Sequence, residues 1–272
     1  MGRLPDWVIV GAMKAGTTTL FDRLGGVPGV SVPSIKEPHF FTSNWGRGVG
    51  WYASIFESCA GLAGEASASY ADAAHASSVA TRMFEVIPNV RLIYLIRNPI
   101  DRMRSHYRHE VLRSRERRPF ESATADVESP YVTRSLYGSV LGSFLSSYPR
   151  DQVLVVRSDW IDEPASWSAI LDHLGADRVP LPSTRSNVTA DKPQFTPLLL
   201  WMWERDLLPD WKLPGWLNRI GRRVLTRPST EQSPLLRSAD AVPGEAVMES
   251  IRADQEMMRR VVGDPSLVWA EL

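Results

Sequence analysis

Lys14 stands inside a glycine-bounded loop, Gly11-Ala12-Met13-Lys14-Ala15-Gly16-Thr17-Thr18, and the position of that cation limits the chemistry the loop can do. Gly11 and Gly16 are separated by four residues, the spacing of a nucleotide P-loop. A loop that handles nucleoside triphosphates continues Gly-Lys-Ser/Thr, because the lysine must reach the terminal phosphates and the next hydroxyl holds Mg²⁺. Here Thr17 fills the lysine's slot and the cation lies within the loop. That suits a shorter target, one nucleotide phosphate and the group leaving from it, with no metal needed to bridge phosphates. Ala15, Gly16, Thr17 and Thr18 complete the cradle, where backbone N–H groups and the positive end of the following helix converge on an anion. The alternative is an ordinary strand–helix turn with an incidental lysine.

A second stretch, Lys36-Glu37-Pro38-His39-Phe40-Phe41, brings a carboxylate and an imidazole together. Pro38 disfavours the helical region for Glu37, so an extended segment is predicted, with Glu37 and His39 on one face. Such a pair can take up and return a proton. The competing reading is a surface carboxylate and a packed histidine. A third stretch is Arg97-Asn98-Pro99, with Ser105 two turns into the helix that Pro99 opens. It offers a guanidinium fork and a hydroxyl to a second phosphate. His106 and His109, on the same helix, are predicted at the surface, and the charged run from Arg113 to Arg118 as a solvated face.

The elements that would position these groups follow from periodicity. Trp7 to Val10, Val90 to Ile96 and Val153 to Arg157 are short, nearly unbroken apolar runs of the kind found in doubly covered parallel strands; Val30 to Val32 and Leu62 to Ala66 are shorter candidates. Thr17 to Thr19 offer hydroxyl caps to a helix running through Leu24. Helices are also predicted over Ala71 to Val86, from Pro99 through Val111, over Pro130 to Ser147 with Ser135 and Tyr137 away from its apolar stripe, from Pro164 to a stop at Gly175, and from Pro243 to a stop at Gly263. Alternating strands and helices imply an α/β fold, a P-loop-type doubly wound parallel sheet flanked by helices. Between Arg185 and Val242 prolines multiply and tryptophans recur at Trp201, Trp203, Trp211 and Trp216, a composition unlike a sheet. Residues 216–225 would set arginines opposite an apolar helical face, suited to membrane-surface contact.

The chain of 272 residues is long enough for one sizeable domain, taken here as 1–272. Thirty-one basic and 31 acidic side chains cancel, so nothing in the total points to nucleic acid or to an acidic polymer, and any basic site must be local. The lone Cys59 excludes an internal disulfide and a cysteine-rich metal centre, and suits a reducing compartment. The first strand follows the N-terminus closely, no apolar run approaches the roughly 20 residues of a bilayer span, and a soluble, cytoplasmic protein is expected.

Taken together, Lys14-Ala15-Gly16-Thr17-Thr18, Lys36-Glu37-Pro38-His39-Phe40-Phe41, Arg97-Asn98-Pro99-Ile100-Asp101-Arg102 with Ser105-His106-Tyr107, and the ending around Val262-Gly263 and Trp269 resemble the sulfotransferases that use 3′-phosphoadenosine 5′-phosphosulfate, especially the heparan sulfate branch. The resemblance implies in-line transfer of a sulfuryl group to an acceptor hydroxyl or amine, without a metal. Glu37 would remove the acceptor proton and Lys14 would stabilise charge on the bridging oxygen of the departing nucleotide, while the first loop holds the 5′-phosphosulfate and Arg97 with Ser105 holds the 3′-phosphate. It also implies an acceptor-side wall or lid at 185–242, but the family's basic glycine loop that closes over the nucleotide has no match between Arg185 and Val242, where Arg185, Asn187 or Lys192 would have to stand in for it. One departure bears on the acceptor. The heparan-type enzymes place a lysine after a glutamate where this chain has Glu65-Ala66, which weakens the case for a polyanionic sugar and favours a small-molecule, hydrophobic or lipid-linked acceptor. The rival classes are a nucleotide-dependent kinase, which would need Mg²⁺ and Gly-Lys-Thr, and a nucleotide-binding protein without chemistry.

Overall fold

The run Trp-Val-Ile-Val-Gly has no polar alternation, so a strand made of it is satisfied only where both faces are covered. Trp7–Gly11 (β1) is such a strand: all five residues are buried, and it takes the middle of a five-stranded sheet. The computed structural model describes residues 2–182, 194–195, 226–227, 234–269 and 272. It orders the sheet β2-β3-β1-β4-β5 with every pairing parallel, β2 being Val30–Ser31, β3 Leu62–Ala66, β4 Arg91–Ile96 and β5 Val153–Arg157. This is the doubly wound α/β sheet that the alternating pattern predicts. Trp7 lies opposite Gly64 on β3 and Arg91 on β4. A Cβ at Gly64 would fall 2.0 Å from Trp7 Cδ2, so the indole fills the space that glycine leaves.

From β1 the chain passes to β2 and β3 on one side, and from β4 it passes to β5 on the other. The connections after β1 and β4 therefore diverge, and their carboxyl ends open a crevice, the usual ligand position of such sheets. Thr17–Leu24 (α1) follows β1, and Pro99–Leu112 (α4) follows β4. Gly48–Ser54 (α2) and Ala76–Val86 (α3) lie on either side of β3 in sequence. Phe120–Ala123 (α5) and Pro130–Thr133 (α6) are single turns, then come Tyr137–Leu145 (α7) and Pro164–Leu174 (α8), the latter against β4 and β5. Pro234–Ser238 (α9) touches α4, and Glu245–Val262 (α10) lies along α7. A second apolar cluster, with Met103, Tyr107, Phe120, Tyr131 and Ile251 among its members, ties α4 to the C-terminal helices.

The structure departs from the predicted elements in several places. Ala71 to Val86 is helical only from Ala76, because the Asp72 carbonyl first closes turns with His75 and Ala76 N–H. Pro130 to Ser147 is two helices rather than one. Leu136 leaves the helical region at ψ 76°, and the α7 N-terminus is capped from α10: Asp254 accepts from Gly138 N and Ser139 N, both at 2.8 Å. Ser135 and Tyr137 are fully buried at this break rather than on outer faces. Within 185–242, the described residues include a short antiparallel pair, Gln194–Phe195 with Thr226–Arg227, and α9. The tryptophans from Trp201 to Trp216, the stretch 216–225, and Arg185, Asn187 and Lys192 lie outside the described residues.

Candidate active site

The first loop takes its shape from two left-handed residues. Lys14 has φ 71°, and Gly16 has φ 94° at the N-cap of α1, a conformation in which glycine meets no Cβ penalty. Lys14, Ala15 and Gly16 thus wrap around the helix N-terminus, where the first-turn N–H groups have no intrahelical acceptor and the dipole favours an anion. The cap position itself is taken by a residue with no hydroxyl. Gly16 caps the helix without a side chain, Thr17 is buried, and Thr18 Oγ1 accepts from Lys36 Nζ at 2.7 Å.

Arg97 leaves the carboxyl end of β4 beside this loop, and its Nη1 donates to the Lys14 carbonyl at 3.4 Å. The turn behind it is fixed locally: Asn98 Oδ1 accepts from Ile100 N at 3.0 Å and Asp101 N at 3.2 Å, with Pro99 at the first helical position. Lys14, Ala15, Gly16, Arg97 and Asn98 line one side of a cavity of about 720 Å³, completed by residues that include Ser158, Asp159, Ile161 and Trp269. The two predicted phosphate motifs therefore share one cleft. Ser105, half-buried on α4, and Thr17 and Thr18 do not line it. His106 is buried on that helix rather than exposed, and burial, with Arg102 nearby, lowers its pKa to about 2.

Glu37 and His39 do not line that cavity. Their segment is a loop, one of the two forms expected of it, with His39 at φ 49°. The two side chains still meet, His39 Nε2 standing 3.5 Å from Glu37 Oε2. The other imidazole nitrogen, Nδ1, is 2.8 Å from Ser69 Oγ. Burial lowers the His39 pKa, partly opposed by the Glu37 charge, so the ring is neutral near pH 7. Glu37 Oε1 accepts from Lys36 Nζ at 2.8 Å, and this lysine connects the acid–base pair to Thr18 of the phosphate loop.

Beneath this loop lies Glu65, fully buried at the carboxyl end of β3. Its carboxyl group accepts from Tyr52 at 3.0 Å, Tyr70 at 2.8 Å and Ser67 at 2.7 Å. Burial outweighs these donors and raises its pKa to about 7. Ser67 Oγ in turn accepts from His39 N at 3.1 Å, and Tyr70 Oη from Phe40 N at 3.0 Å, so Glu65 anchors the backbone that carries the acid–base pair. On the opposite flank, Arg134 bonds Asp72 Oδ2 at 2.9 Å and reaches Met13 Sδ at 3.2 Å. The sequence reading gave Lys36, Glu65 and Arg134 no role. A glutamate inside a fully covered strand is the signal that would have singled out Glu65; for Arg134 the sequence carries none.

Residues 4–166 match the sulfotransferase domain family, more than half of the chain. A membrane-associated sulfotransferase, kil1, of Dictyostelium discoideum is 34% identical over 113 residues, 40% of this chain and 23% of that protein. The human bifunctional heparan sulfate N-deacetylase/N-sulfotransferase 2 is 30% identical over 198 residues, covering 64% of this chain and 22% of its own length. Human heparan sulfate glucosamine 3-O-sulfotransferase 5 is 31% identical over 179 residues, 60% of this chain and 50% of that protein. The chain thus spans half or less of the length of these relatives. A solved sulfotransferase from Alicyclobacillus acidocaldarius shares the fold, with TM-score 0.64 and 22% identity over 97% of each chain. The chain belongs to the sulfotransferase domain family.

Proposed function

We propose that this sulfotransferase-family chain moves a sulfuryl group from 3′-phosphoadenosine 5′-phosphosulfate to an acceptor hydroxyl or amine. The observation that carries the reading is the shared cleft: the Lys14 loop and Arg97 approach one another from β1 and β4, while Glu37, outside the cavity, is tied through Lys36 to the first turn of α1. The residues fit such a donor. Lys14 and the α1 N-terminus suit the phosphosulfate, and Arg97 suits the second phosphate, with Ser105 as its proposed partner. The donor supplies an activated sulfuryl group. The protein's own part is to hold the nucleotide, stabilise charge on the departing phosphate through Lys14, and accept the acceptor's proton on Glu37, with His39 adjusting that carboxylate's surroundings.

A small or apolar acceptor is part of the reading. Ile35, two residues before Glu37, is 46% exposed, and Ala66 brings no cation to the end of β3. The decisive measurement is equilibrium binding of adenosine 3′,5′-bisphosphate against ATP, each with and without Mg²⁺. Metal-independent preference for the bisphosphate is expected; Mg²⁺-dependent preference for ATP would favour a kinase. Preferential transfer to desulfated heparan over aryl or alkyl alcohols would overturn the acceptor class while leaving the reaction intact.

A further inference from the structure

Resting on the sulfotransferase reading, we propose that Lys36 is a catalytic residue, a second cation that contacts the sulfuryl group while it passes between nucleotide and acceptor. In an in-line displacement the sulfur lies between the leaving oxygen and the attacking oxygen. The leaving phosphate belongs at the N-terminus of α1, and the attacking oxygen belongs at Glu37, which takes its proton. The Lys36 ammonium joins the elements that carry those two ends: it is 2.7 Å from Thr18 Oγ1, in the first turn of α1, and 2.8 Å from Glu37 Oε1. An ammonium has three donors. Two are engaged here, and among the described residues no acceptor takes the third. A group travelling from the α1 N-terminus to Glu37 therefore comes within reach of an N–H that can meet one of its equatorial oxygens.

Position and shielding both support this. Ala66 N donates to the Lys36 carbonyl at 3.1 Å, fixing the lysine backbone against the end of β3, the strand end that Ala66 leaves without a cation of its own. The side chain is only 22% exposed, so its charge is screened less than a surface lysine's. In the step itself the acceptor oxygen bonds to sulfur, the bond from sulfur to the bridging oxygen breaks with its electron pair leaving on the nucleotide phosphate, and the acceptor's proton passes to Glu37. Lys36 stays protonated, and no electrons are exchanged. Its contribution is electrostatic, placed where negative charge spreads over the equatorial oxygens.

The test compares wild type with Lys36→Met, using 3′-phosphoadenosine 5′-phosphosulfate and adenosine 3′,5′-bisphosphate as paired probes. These differ by the sulfuryl group. Lys36→Met is expected to bind the bisphosphate within about threefold of wild type, to lose about tenfold in donor affinity relative to it, and to lose about 100-fold in turnover with water or an aryl alcohol as acceptor. If Lys36→Met melts below the assay temperature, Lys36→Gln provides the same comparison. Equal loss of both ligands would reduce Lys36 to a phosphate or loop contact and overturn the proposal, as would unchanged turnover. In either case a wild type that transfers sulfuryl groups leaves the proposed function standing. A wild type that binds neither nucleotide sinks both.

Discussion

A carboxylate that accepts three hydroxyl hydrogen bonds would ordinarily ionise with ease, yet Glu65 holds its proton to about pH 7 because complete burial costs the charged form more than Tyr52, Tyr70 and Ser67 return. The sign of the consequence follows from linkage. A folded-state pKa of about 7 against 4.5 means that the folded protein binds the extra proton in that interval, so this stability is complete below about pH 4.5 and is lost as pH rises through about 7. The difference is on the order of 3 kcal/mol. We predict that unfolding free energy falls across that window in wild type, and that Glu65→Gln flattens this part of the profile in urea melts taken at several pH values; an unchanged slope in the variant would assign it to other groups. Glu37→Gln is expected to abolish turnover while leaving bisphosphate affinity nearly intact, because Glu37 stands outside the nucleotide cavity. An active Glu37→Gln beside an inactive, folded His39→Ala would exchange their roles. Arg97→Ala should weaken the bisphosphate by about 1.5–3 kcal/mol, tenfold or more, measured by calorimetry. At this scale residue type and spacing singled out Lys14 and Arg97, which the structure brings to one cavity, and Glu37 and His39, whose side chains meet. The sequence did not display the bonds of Lys36 or the anchoring by Glu65, which depend on a loop path set by His39 at φ 49° and by the hydroxyls of Ser67 and Tyr70 in the turn after β3.

Helices α7 and α10 meet through a cap supplied in trans. Asp254 accepts Gly138 N, Ser139 N and Ser139 Oγ within 2.8 Å while remaining almost fully buried. Three bonds to one buried carboxyl group make Asp254→Ala destabilising by about 2 kcal/mol or more, since two backbone donors lose their partner away from water; chemical denaturation would register this as a lower midpoint with an unchanged slope. Gly138 is the closest point of the pair. A Cβ there would lie 2.4 Å from the Asp254 carbonyl oxygen and 2.7 Å from Met258 N, backbone atoms that cannot turn aside. Gly138→Ala should therefore part the helices and destabilise by about 1–3 kcal/mol despite alanine's better helix propensity, and a stabilised Gly138→Ala would contradict the close approach. Strands were the easiest elements to read in the sequence, since unbroken apolar runs between turn residues have few other uses. The break in 130–147 was hidden, because the residue that imposes it lies 116 positions away and apolar spacing continues across it.

For the molecule as a whole, the proposed nucleotide cleft is built from loops that meet only in the assembled sheet: Arg97 and Lys14, 83 residues apart, touch across β1 and β4. A ligand bound there should stabilise the whole domain. With adenosine 3′,5′-bisphosphate at 100 times its dissociation constant, the added stability is about 2.7 kcal/mol, seen as a rise in melting temperature that Mg²⁺ leaves unchanged and Arg97→Ala diminishes. The fold was legible in the sequence because a doubly wound sheet repeats one simple unit. The stretch from Arg185 to Val242 was not, since its composition records a change of character and no geometry. The position of β1 also sets a schedule for the growing chain. Its five residues leave the ribosome first among the strands, yet its partners β3 and β4 are not complete until residues 66 and 96 have been made. Until residue 66 both edges of Trp7–Gly11 are open, and until residue 96 the edge that β4 will cover stays open to pairing with another nascent copy. The strand that ends deepest in the protein is thus the one whose protection during synthesis matters most, and slowing translation between residues 66 and 96 should raise aggregation more than the same pause placed after β5.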